Sequence, residues 1–93
     1  MNRLTRALDS KNVYVVDDTK VQHDANGYSG DAINRLAKFE NIYVDLIRKQ
    51  SEISKELEKL RLEGKTHSVK FKQLLANKIT DRNIITLFET YEL

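Results

Sequence analysis

"AINRLAKFENIYVDLIRKQSEISKELEKLRLE", residues 32–63, runs for 32 residues with neither proline nor glycine and spaces its apolar side chains alternately by three and four. Leu36, Tyr43 and Leu57 recur at one core position of a heptad, and Phe39, Leu46, Ile53 and Leu60 at the other. That spacing is the stripe an α-helix presents along one side. Ser29 or Asp31 stands ahead as an N-cap type residue. Residues 31–63 are therefore expected to form one helix about 50 Å long. Gln50 alone interrupts the seam. A polar residue there can fix register, as amides do in coiled coils, but the simpler reading is a long side chain whose head reaches water at the seam's edge. Ile33, Ile42, Val44 and Ile47 widen the apolar surface before Gln50, and only the narrow seam continues after it. More structure is expected to pack on the first half, with the far half protruding.

Downstream, "RLEGKTHSVKFKQLL", residues 61–75, reads as a turn between helices. Gly64 suits the left-handed residue that closes a helix, Lys59 and Arg61 lie near the negative helix end, and Thr66 or Ser68 can cap the next helix. Val69, Phe71, Leu74, Leu75 and Ile79 approximate one apolar stripe, and Ile84, Leu87, Phe88 and Tyr91 another. At 100° per residue the two do not share a phase. Thr80 and Asp81 sit at the change, which predicts a return segment broken into helices over 66–79 and 81–92.

Upstream, "NRLTRAL" and "VYVV" flank "DSKN", whose Asp, Ser and Asn favour turns through local hydrogen bonds. A β-hairpin within residues 1–18 is the simplest reading, and a two-stranded ribbon needs something to lean on. Residues 19–30 read as a solvated linker. "DANGYSGD" keeps the D-x-N-G spacing of a calcium loop, but Gln22 and Ile33 occupy positions where such a loop needs acidic ligands. His23 with Asp17, Asp18 and Asp24 offers zinc-type donors without implying any geometry. The expected fold is thus mainly α: a long antiparallel helical hairpin with a broken return helix, plus a short N-terminal β-hairpin, in one domain spanning 1–93.

Composition bounds function more than it names it. With 93 residues and no cysteine, the core must come from packing without disulfides or thiolate metal sites. The chain is 40% hydrophobic and 32% charged, with no proline and three glycines, which favours few long elements. No run approaches the roughly 18–20 apolar residues of a membrane span, and residues 1–20 lack a signal-type apolar core, so a cytoplasmic location without membrane contact is expected. There is no Cys nucleophile, H-E-x-x-H, G-x-S-x-G or glycine-rich phosphate cradle. A non-enzymatic protein with no catalytic residues, metal or cofactor is expected.

Charge distribution singles out one region. Net charge is only +2, yet no acid occurs between Gly64 and Thr80, where Lys65, Lys70, Lys72 and Lys78 accompany His67. Arg61, Lys65, His67, Lys70 and Lys72 are the candidate partner-binding residues. A tip of this kind can meet an acidic protein surface or, through lysines and helix N-terminal amides, the phosphates of a nucleic acid. Plain solvation explains the lysines equally well. The heptad seam also allows pairing between two copies as a homodimer.

"MNRLTRAL" and "DAINRLAKFEN" together resemble a group of small uncharacterised phage and prophage proteins of Gram-positive bacteria. Their outline is M-x-R-L-T near the start and a later helix opening with A-I-x-R-L-A-x-(Y/F)-E. Arg3, Leu4 and Thr5 match the first element; Ala32, Ile33, Arg35, Leu36, Ala37, Phe39 and Glu40 match the second. The motifs cover roughly a fifth of the chain. Many relatives carry ribbon cysteines that suggest a small zinc site; this chain has none, so metal binding is not carried over. The resemblance implies a setting in which small accessory proteins bind and disable a host machine. The expected function is binding of a host or phage protein, most concretely inhibition of a host defence nuclease in the manner of anti-CRISPR proteins. The alternatives are a self-associating helical module and nucleic-acid binding through the basic tip.

Overall fold

The heptad stretch forms one uninterrupted helix, α1 (Asp31–Leu62), in the computed structural model, which describes residues 1–9 and 12–93. A second helix, α2 (Val69–Thr90), follows. Ahead of them come β1 (Thr5–Leu8), β2 (Val13–Val16), a single 3-10 turn (Asp18–Lys20), β3 (Gln22–Asp24) and β4 (Gly27–Ser29). The chain divides into two compact units, Met1–Glu40 and Asn41–Leu93.

Within Asn41–Leu93, α1 and α2 pack as an antiparallel pair. The inward residues of α1 are Tyr43, Leu46, Gln50, Ile53, Leu57 and Leu60, the heptad positions expected from the sequence. Those of α2 are Phe71, Leu74, Lys78, Asp81, Ile85 and Phe88, again spaced by three and four. Leu57, Leu60 and Phe71 form a buried cluster with Ile53 and Leu74 against it. Toward the other end Tyr43 stacks on Phe88, with ring centroids 5.9 Å apart. Leu46 and Ile85 are buried as well, Ile85 completely. Each such side chain contributes about 1.5–3 kcal/mol by leaving water.

The return helix is not broken. The two expected stripes depended on Val69, Leu75, Ile79, Ile84, Leu87 and Tyr91, all of which are exposed. The true seam keeps one phase through 71, 74, 78, 81, 85 and 88, but its two middle positions are Lys78 and Asp81. Counting apolar residues alone therefore loses the phase, and Thr80–Asp81 lies inside continuous helix. Gln50 faces this polar stretch. Its Nε2 donates to the Lys78 carbonyl oxygen at 2.9 Å, partly buried, rather than reaching out to water.

The expectation that the half of α1 after Gln50 protrudes is overturned, while Leu46, before Gln50, is buried as well. Leu57 and Leu60, in the half after Gln50, are buried, whereas Ile33, Leu36, Phe39, Ile42, Val44 and Ile47 are exposed. Chain length explains it. Only a six-residue turn separates the helices, so α2 must start against the end of α1. With 22 residues against 32, its seam ends at Phe88 beside Tyr43.

Within Met1–Glu40, β1 and β2 form the expected antiparallel ribbon, in the register Thr5↔Val16 to Leu8↔Val13. Asp9 and Asn12 have φ of 59° and 57°, left-handed conformations these residues tolerate in turns. Ser10 and Lys11, also assigned to the turn, lie outside the described residues. The 19–30 segment is not a linker: β3 and β4 make a second hairpin, Gln22↔Ser29 to Asp24↔Gly27. Its turn is closed by Asp24 Oδ1, which accepts from the Asn26 amide at 2.8 Å, and His23 packs on Tyr28. The loop residues are Ala25 and Asn26, and Gly27, at φ 121°, opens β4. Gly30, at φ 116°, leads into α1, and a Cβ there would stand 2.7 Å from the Lys20 carbonyl oxygen.

Candidate partner-binding site

The turn joining the helices is fixed by its own backbone. Gly64 adopts φ 71°. Its amide donates to the Arg61 carbonyl at 3.1 Å, and the Lys65 amide to the Leu60 carbonyl at 2.8 Å. Together these form the Schellman closure that satisfies the last carbonyls of a helix. Ser68 caps α2: its Oγ accepts from the Phe71 amide at 3.1 Å and donates to the Lys65 carbonyl at 2.7 Å. Of the two cap candidates, Ser68 is the one three residues ahead of an amide it can reach. Lys65 and His67 are thereby held between two capped helix ends.

The five candidate residues come together around this turn, but acids of α1 come with them. Lys70 Nζ lies 2.9 Å from Glu56 Oε1, Arg61 Nη1 2.9 Å from Glu58 Oε2, and Lys65 Nζ 3.1 Å from Glu63 Oε2. Arg61 also lies over the Phe71 ring, 5.9 Å from its centroid. The Lys70 hydrogen bond, reinforced by its charge, holds the Glu56 carboxyl below its ordinary value of 4.5. His67 and Lys72 make no ion pair among the described residues. The Glu56–Lys70 pair joins residues fourteen apart and exists only because the hairpin closes, so a local scan of charge between Gly64 and Thr80 misses it. Lys78, counted with the basic run, belongs to the helix seam instead.

These pairs lie at the surface, where solvent screening keeps the contribution of each one small. Their chemical consequence is larger than their energy, because the turn presents both signs of charge. Counterion release on a polyphosphate depends on cations that are not already neutralised. A protein surface of mixed charge makes no such demand.

A second surface, which no sequence motif marks, lies in Met1–Glu40. An open groove of about 630 Å³ runs beside the first turns of α1, lined by Leu4, Val16, Val21, Ile33, Leu36 and Phe39 among others. The Arg35 guanidinium at its rim donates to the Asn2 carbonyl. No group of three or more His, Asp or Glu side chains is placed to hold a metal ion among the described residues, and no described helix is long and apolar enough to cross a membrane. Against protein-family models, curated proteins and solved structures, the chain returns no match.

Proposed function

We propose that this chain is a non-enzymatic accessory protein of phage or prophage origin that works in the host cytoplasm by binding a protein partner through the turn between its two helices. Its most concrete form is inhibition of a host defence nuclease, as anti-CRISPR proteins do. The observation that carries the reading is the doubly capped turn, which fixes the backbone at Lys65 and His67, with Lys72 at the start of α2, before any partner arrives. Preorganisation of this kind lowers the ordering cost of association. The carboxylates paired with Arg61, Lys65 and Lys70 favour a protein surface over nucleic acid.

The test uses the whole chain, immobilised, with host lysate as the source of partner, beside a Lys65→Glu/Lys72→Glu variant and a scrambled-sequence control. The expected result is a defined protein retained by the wild type and lost by the variant. In cells carrying an active defence nuclease, survival of a targeted plasmid should rise with the wild type and not with the variant. Nothing captured above the scrambled control, or capture indifferent to the two substitutions, sinks the reading.

A further inference from the structure

We infer that the first turns of α1 pair with the same turns of a second copy of this chain, in parallel and in register. The heptad of α1 does not begin where α2 begins to cover it. Ala32 and Phe39 occupy one core position and Leu36 the other, yet Leu36 is 56% exposed and Phe39 41%. This is the same seam that buries Leu46, Leu57 and Leu60 further along, continued through the eleven residues before Tyr43.

Charge identifies the occupant. In a parallel two-stranded coiled coil, the residue before one core position faces the residue five places later on the partner helix. Here those two are Arg35 and Glu40. Two copies in register therefore set Arg35 of each against Glu40 of the other, twice, about a two-fold axis. An antiparallel arrangement places Ile33 opposite Glu40 and leaves both charges without a counterpart. Neither Glu40 nor Arg35 makes an ion pair within its own chain among the described residues, and pairing exchanges the hydrogen bond of Arg35 to the Asn2 carbonyl for the Glu40 carboxylate of the second copy. Ile33 flanks the seam, and Leu4, Val16 and Val21 line the same open groove that the second helix would enter. From Tyr43 onward α2 occupies the seam, so the pairing is confined to these turns. It goes beyond the partner-binding reading and uses none of the residues at the helix–helix turn.

Because the chain has no cysteine, single introduced thiols report the geometry cleanly. Ala32→Cys should oxidise to a symmetric disulfide dimer, since facing core positions of a parallel pair lie within the roughly 4.4–6.8 Å Cα separation a disulfide tolerates. Asn34→Cys, on the opposite side of the helix, should stay monomeric under the same oxidant. An antiparallel pair separates the two Ala32 positions by about 16 Å along the axis and gives no such dimer. In the Ala32→Cys background, Glu40→Arg should slow cross-linking about tenfold by opposing like charges at both flanks. Adding Arg35→Glu should restore the rate, which also excludes misfolding as the cause. Lys65→Glu/Lys72→Glu should leave it unchanged. Equal cross-linking of Ala32→Cys and Asn34→Cys, absence of the Ala32→Cys dimer, or indifference to the charge swap each overturns the inference.

Discussion

Replacing Ile85 by alanine is the sharpest test of the single continuous seam. Ile85 is fully buried in α2, whereas its neighbour Ile84 is 37% exposed. Ile→Ala removes three carbons, about 2.4 kcal/mol of transfer free energy at ~0.8 kcal/mol each. Incomplete collapse of the cavity raises the expected loss to about 3–4 kcal/mol. Ile84→Ala removes the same atoms from a surface position, where alanine's better helix propensity offsets part of the loss, so about 1 kcal/mol or less is expected. Urea titration followed by helical circular dichroism separates the two. With a slope of about 1–1.5 kcal/mol/M for so small a protein, Ile85→Ala should lower the midpoint by about 2 M or more and Ile84→Ala by well under 1 M. Were Ile84→Ala as costly as Ile85→Ala, the inward face would be the Ile84–Leu87–Tyr91 stripe and the assigned seam would be wrong.

Other features make separate demands. Ser68→Ala removes the side-chain acceptor for the Phe71 amide and should cost about 1 kcal/mol, seen as a lower thermal midpoint, with Ser68→Thr largely sparing it. Lys70→Ala should raise the Glu56 pKa toward its ordinary value, followed by the carboxyl carbon shift. Because that pKa is depressed in the folded chain, the pair's contribution is complete above about pH 4.5 and is lost as pH falls through the lower folded value. Gly30→Ala combines φ 116° with a Cβ 2.7 Å from the Lys20 carbonyl oxygen. Amide spectra should therefore show disturbance across residues 18–36 and native-like shifts around Leu57, Leu60 and Phe71; an unperturbed spectrum near Lys20 would count against the close approach.

The sequence carried α1 well because its code there is redundant. About five turns of seam between Tyr43 and Leu60 are apolar apart from Gln50, and a 3.6-residue period survives one exception. Gly64 and Ser68 were equally legible, since each residue type has a backbone reason to stand where it does. The second helix was harder. Lys78 and Asp81 occupy inward positions, while apolar Leu75, Ile79 and Leu87 face water, so hydrophobicity and orientation disagree over its middle. The second hairpin was lost to composition: a polar three-residue strand such as Gln22–Asp24 carries little alternation. At the candidate site, the cations were visible and their counterions were not, because Glu56 meets Lys70 through the fold rather than along the chain.

The polar middle of the seam has a structural consequence of its own. The six-residue turn limits how far α2 can slide on α1, but an all-apolar seam would not itself distinguish one alignment from another, since Leu meets Leu in each. A single amide that donates to one particular carbonyl removes that freedom: shifting α2 by seven residues takes the Lys78 oxygen about 10 Å away from Gln50, leaving a partly buried amide without that partner, a loss of about 1–3 kcal/mol. Register is what sets Phe88 on Tyr43, and so it sets how far α2 covers α1.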